Sequence, residues 1–142
     1  MVDTASADQQ LTVDDSSGTG AGWHITVSAT TFTTGTHTLP DTGIIIVTGS
    51  VSSLTSADPG VACAGSCILP ANTTAYPVSI DTAASSPPAS TLYDASAGTG
   101  VGSITVGGSD AADPIGWWVL VPATAYAGSY TSTVTLTLAS GP

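Results

Sequence analysis

The 142-residue chain contains no lysine, no arginine and no glutamate, and its ten acidic residues are all aspartates, for a formal net charge of −10. Nothing in it can neutralise phosphates, which excludes nucleic-acid binding and attachment to anionic membrane surfaces. Carboxylates have no basic side chain of that kind to pair with. The fold must rest on packing, backbone hydrogen bonds and the two cysteines. No apolar run approaches the roughly 18 residues of a membrane span, so membrane insertion by a helix is not expected. No signal peptide is visible either, and the expectation is the mature form of an exported protein with Met1 at a processed end. Good helix formers other than alanine are scarce.

What remains is threonine, serine and valine, with 16 glycines and 9 prolines. Thr, Val and Ile favour strands, while Gly, Pro, Asp and Ser favour turns, so the composition is all-β. The length suits one domain with a real core. Residues 1–10 read as a flexible N-terminal arm and residues 11–142 as the domain. Leu11 to Val13 is a short first strand. Trp23, Ile25 and Val27 alternate with His24, Thr26 and Ser28, the pattern of a half-buried strand. Ile44-Ile45-Ile46-Val47 is the most strand-prone run and should be central, with Val51 to Leu54 continuing it after a bend. Residues 35–40 read as a loop in which Leu39 is buried. A strand over residues 76–80 is confined to an edge by Pro77. Short strands follow near Thr91 and from Gly102 to Val106. In the C-terminal stretch, Pro114-Ile-Gly-Trp-Trp-Val-Leu-Val-Pro122 reads as a strand covered on both sides. Tyr126-Ala-Gly-Ser-Tyr130 reads as the turn of a hairpin. Val134, Leu136 and Leu138 then share the buried face of an alternating strand with Tyr130. Strands spaced by turns at intervals of about ten residues predict a single antiparallel β-sandwich, immunoglobulin-like, Greek-key or jelly-roll.

Cys63-Ala-Gly-Ser-Cys67 is spaced for a small disulfide rather than a zinc half-site, since no other cysteine exists and the histidines are far away. A disulfide implies an oxidising, extracellular setting. His24 and His37 lack a nucleophile elbow, and no catalytic residue is assigned. No cofactor is indicated. The cation for which the sequence leaves room is Ca²⁺, at Asp14-Asp15 or at Asp110 with Asp113, but neither pair fits a spaced loop motif, and turn-forming aspartates are expected. Leu39-Pro40-Asp41-Thr42-Gly43 matches a sorting signal, yet no apolar span or basic tail follows it, and cleavage would cut beside the best strand. The binding candidates are aromatic. Trp117 and Trp118 must face opposite ways on a strand. Trp23, Trp118, Leu120 and Tyr130 complete the set.

Two of these segments carry a resemblance. Gly22-Trp23-His24-Ile25 opens a strand near one end, and Trp118-Val119-Leu120 lies near the other, followed by Ala127-Gly128-Ser129-Tyr130 and a Thr/Val/Leu strand. This pair resembles the WxL domain of Gram-positive surface proteins, with Ile25 standing where leucine is the rule. The resemblance implies a non-enzymatic surface module that binds the cell wall non-covalently. Without basic residues, contact with a wall polymer or glycan would be aromatic and hydrogen-bonded. The last strand is also similar to that of spore-coat-protein-U-like pilins. That likeness implies the alternative, a filament or matrix subunit bound to copies of itself by exchange of the N-terminal arm.

Overall fold

Alternation at Trp23–Ala29 becomes strand β2, whose side chains are buried and half-buried in strict turn. Trp23, Ile25, Val27 and Ala29 all enter the core. The computed structural model describes residues 1–3, 5–63, 65–107 and 113–142. Its other strands are β1 (Leu11–Asp15), β3 (Thr33–Thr34), β4 (His37–Thr38), β5 (Ile45–Thr48), β6 (Val61–Cys63), β7 (Val78–Ile80), β8 (Ser90–Ala95), β9 (Gly102–Val106), β10 (Gly116–Val119) and β11 (Val134–Ser140), with one 3₁₀ turn at Ser6–Asp8. They form three three-stranded sheets, ordered β1-β9-β6, β10-β5-β7 and β11-β2-β8, beside a small β3-β4 hairpin. Every pairing between two of these strands is antiparallel. The buried faces of all three sheets meet in one core, where Ile80, Leu92, Ile104, Ile115, Val27 and Val47 are the largest fully enclosed side chains. The fold is therefore all-β and sandwich-like, without closure into a barrel.

Several strands lie where the sequence puts them. The isoleucine-rich run is the central strand of its sheet, and β7 after Pro77 is at the edge. Leu39 is buried. Cys63 and Cys67 are bonded, with Cα atoms 6.1 Å apart. So short a loop stabilises by only about 2 kcal/mol in the chain-entropy account.

The C-terminal third departs from expectation. The two segments do not form a hairpin: β10 pairs with β5, whereas β11 pairs with β2 in another sheet. The intervening chain is drawn across to β2 instead, by a Thr33–Thr131 bridge and a Thr30 N–H bond to the Thr133 carbonyl. Nor is β10 covered on both sides, since Trp117, Trp118 and Val119 are all half-buried. The apolar face of β11 is not buried either: Val134, Leu136 and Leu138 are 43 %, 41 % and 53 % exposed. Among the described residues, no sheet closes over that face. The continuation over residues 51–54 is absent, because the chain bends there and Leu54 turns outward. Residues 35–40 contain the β4 arm of the small hairpin rather than only loop.

The sorting-like pentapeptide serves the fold. Asp41 Oδ1 accepts hydrogen bonds of 2.6 Å from both the Thr31 and Thr82 hydroxyls, joining the chain after β2 to the chain after β7. Those two bonds hold the Asp41 carboxyl below its ordinary range. A depressed folded value stabilises above the unfolded one, about pH 4, and that contribution disappears as pH falls through the folded value. Asp41→Asn should thus cost about 1 kcal/mol near neutrality, less than a buried charge-assisted bond because Asp41 is exposed and solvent screens it. The variant and the parent should converge in acid. Urea denaturation at the two pH values measures both.

Candidate functional site

Strand β10 organises the candidate site. It begins at Gly116, where a side chain is sterically barred: a Cβ would overlap the Ser50 carbonyl. The close approach sets Trp118 against that same loop, and its indole N–H donates to Ser50 O at 2.9 Å. One residue back, Trp117 faces the other way, packs partly on the core and donates from Nε1 to Asp8 O at 2.8 Å. Alternation then gives Val119 to the Trp117 side, where both line a groove, and Leu120 to the Trp118 side, where it is 45 % exposed. Val121 and Tyr126 are exposed as well, Tyr126 against the His37 ring.

Residues 1–3 lie along β10. Asp3 N–H donates to Trp117 O at 2.9 Å, and Val119 N–H donates to Met1 O at 2.7 Å, bridging Val2 to Trp118. Beside them is an open apolar groove of about 660 Å³, lined by Val2, Leu11, Phe32, Ile45, Trp117, Val119, Val134 and Leu136 among others. Sequence reasoning missed this groove. Its signal was the alternation of β11, read as a buried face.

The remaining candidates sit elsewhere. Trp23 is enclosed, stacked on Tyr93 with ring centroids 5.4 Å apart, and its Nε1–H donates to Gly100 O at 2.8 Å. A side chain at Gly100 would press on that indole, and its φ of 72° is already in the left-handed region. Tyr130 is half-buried against the core. Trp118 and Leu120 thus share one face and Trp117 lies on the other, while Trp23 is enclosed on β2 and Tyr130 packs against the core after β10. The two tryptophan motifs therefore differ: Trp23 and Ile25 point inward, whereas Trp118 and Leu120 point outward.

A family model described as "WxL domain surface cell wall-binding" matches residues 2–142. The chain belongs to the WxL domain family. No curated protein and no solved structure matches it. Membership makes this a cell-surface, wall-binding module, and no helix among its described residues is long and apolar enough to cross a membrane.

His24, His37 and Asp15 are each engaged within this WxL domain. His24 Nδ1 donates to Gly141 O at 2.6 Å, and the His37 ring stacks on Tyr126 at 3.8 Å. Asp15 accepts from the backbone and hydroxyl of Ser17, a local turn. Asp110 lies outside the described residues. Among the described residues, no three His, Cys or Asp side chains converge as a metal site would require.

Proposed function

We propose that the domain holds non-covalently to a wall glycan or peptide on a Gram-positive cell, through the outward face of β10, and catalyses nothing. The observation that carries this reading is the asymmetry of the two motifs: Trp23 is 3 % exposed, while Leu120, on the Trp118 face, is 45 % exposed. A large aromatic at a surface, with its N–H fixed to Ser50, is a pre-organised platform for a sugar ring or an extended peptide. The chain has no lysine or arginine to offer an anionic polymer. Contact must therefore be apolar and hydrogen-bonded, and should hold or tighten as salt screens the net charge of −10. Pairing of residues 1–3 with the chain's own β10 supports a self-contained module over a filament subunit that lends its arm to a neighbour.

The test is co-sedimentation of folded protein with purified Gram-positive sacculi across a salt series. Wild type should pellet with sacculi. Trp118→Ala should weaken binding by about 30-fold, the loss of one interfacial anchor worth about 2 kcal/mol. Leu120→Ser, on a residue outside the core, should weaken it without touching stability. Undiminished binding by both variants would remove β10 as the contact face. Protein that pellets without sacculi, and ceases to when residues 1–10 are deleted, would return the assembly reading.

A further inference from the structure

The sandwich is open along one seam. Among the described residues, β11 pairs only with β2, and β1 pairs only with β9. The register sets Val134 opposite Ala29, Leu136 opposite Val27 and Leu138 opposite Ile25. Residues directly opposite on paired strands share a face, so this stripe continues the core face of β2, yet all three of its side chains are exposed. Main-chain groups are open there too. Thr133 O and Gly141 N are bonded towards β2. By the alternation of antiparallel ladders, Val134, Leu136, Leu138 and Ser140 turn their N–H and C=O to the free edge. No lysine, proline or charged residue blunts Val134–Ser140.

Charge decides what can fill the seam. The bank facing β11 is acidic: Asp3 and Asp8 line the groove beside Val134 and Leu136, and Asp14 and Asp15 line a smaller hollow beside Leu138 and Ser140. The sequence has no lysine or arginine, so neither a second copy nor any segment of these 142 residues brings that kind of counter-charge. A second copy would add its own carboxylates to the same strip. A neutral apolar strand would cover the stripe but desolvate the carboxylates without pairing them, which is costly. Lysine and arginine answer both banks, because their methylene stems lie on apolar surface while the charged head reaches a carboxylate. Successive side chains of an extended segment alternate between faces, so one such residue at every second position puts them all into the seam.

We propose that this seam is a docking site for a basic, extended segment of a partner protein, which adds to the free edge of β11 as a fourth strand of the β11-β2-β8 sheet. Its main chain pairs with the outward groups of Val134–Ser140. Its lysines or arginines lie over Leu136 and Leu138, with their heads towards the Asp3–Asp8 and Asp14–Asp15 carboxylates. The contact weakens as salt rises, opposite to the behaviour expected of the Trp118–Leu120 face. Trp118 and Leu120 lie on the other side of β10 from the groove, and the inference does not depend on what β10 binds.

The probe is an end-blocked peptide of alternating lysine and threonine, about eight residues long, which spans β11 at about 3.3 Å per residue. It is titrated into the folded protein by calorimetry, with amide exchange read along β11. Two control peptides separate the contributions. Norleucine in place of lysine keeps the stem and loses the charge; all the lysines followed by all the threonines keeps the charge and loses the alternation. The alternating lysine peptide should bind at least about tenfold more tightly than either, and more weakly as salt rises. It should slow exchange at the Val134, Leu136 and Leu138 amides. Asp8→Asn combined with Asp14→Asn, both exposed positions, should weaken binding at least about fivefold. Asp58→Asn combined with Asp81→Asn, the same change of net charge at residues that line neither hollow, should not. Equal affinity for the alternating and block peptides, or equal losses in the two double variants, would reduce the attraction to bulk charge and overturn the proposal. So would the absence of binding by every peptide. Protection of the same amides by raised protein concentration alone would give the edge to a second copy, and protection by sacculi but not by the lysine peptide would give it to the wall; either result overturns the proposal.

Discussion

Trp23→Ala should bring the protein close to unfolding, at a cost of about 3–5 kcal/mol. Typical domains have only about 5–15 kcal/mol to lose. The side chain is 3 % exposed, it stacks on the buried ring of Tyr93, and its N–H is bonded to Gly100 O. Truncation loses the transfer energy of the indole, empties a large volume between β2, β8 and the residue-100 turn, and strands a buried carbonyl. Collapse around the vacancy is opposed by Gly100, whose left-handed backbone has no side chain to move inward. Trp23→Phe, which retains a ring over Tyr93 but leaves the Gly100 carbonyl without its donor, should cost less than half as much. Trp118→Ala removes a half-buried residue with one hydrogen bond and should cost about 1–2 kcal/mol. Urea denaturation of the three variants measures this order. Equal losses at Trp23 and Trp118 would show that the two motifs do not divide between core and surface, and the reading of β10 as the contact face would lose its support.

That division was not legible in the sequence, although the motifs were. Trp23-His24-Ile25 and Trp118-Val119-Leu120 look alike because both alternate on a strand. Alternation states that a strand has two different faces. It does not state which face meets another layer. At β2 both neighbours, β8 and β11, are in place and the sheet lies over the core, so the apolar face is enclosed. At β11 the same period of two, with the same residue types, leaves Val134, Leu136 and Leu138 facing an open groove. Local pattern therefore gave the strands, the central place of Ile45–Thr48 and the edge place of Val78–Ile80. It could not give the partner of β10, because strand pairing depends on the whole path of the chain, and the long connection from Leu120 to Thr133 is compatible with either neighbour. The close approach of Gly116 to Ser50, which seats Trp118, also joins residues too far apart for any spacing rule to connect. Asp41 shows the converse. Inside a short motif that reads as a processing signal, it is held by Thr31 and Thr82, so its neighbourhood is explained by packing between sheets.

The same odd composition makes alkaline stability a direct report on two buried tyrosines. A chain without lysine, arginine or a free thiol has little but its 4 tyrosines to titrate in strong base. Burial pushes the Tyr93 hydroxyl up to about 12, with the Asp58 charge adding to it. Tyr76 is pushed further, by burial first and Tyr93 second, and its hydroxyl donates to Leu92 O at 2.5 Å. A raised folded value means that the neutral form is favoured in the native state. The stabilisation is complete below the unfolded value, about pH 10, and is lost as pH climbs towards the folded value, because the unfolded chain releases protons that the folded chain retains. Each of the two tyrosines should lower stability by at most about 1.4 kcal/mol per pH unit across that window. The native protein should therefore hold its stability up to about pH 10 and unfold cooperatively between there and about pH 12, with part of the tyrosinate absorbance appearing only together with loss of the β-sheet signal. Tyr76→Phe should lower stability at neutral pH, by exposing the need of the Leu92 carbonyl for a donor, yet flatten its decline above pH 10 by removing one of the two linked protons. Stability measured by urea titration at successive pH values separates the two effects. A decline that begins well below pH 10, or a slope unaltered by Tyr76→Phe, would show that some other process, such as mutual repulsion of the aspartates, governs the alkaline limit.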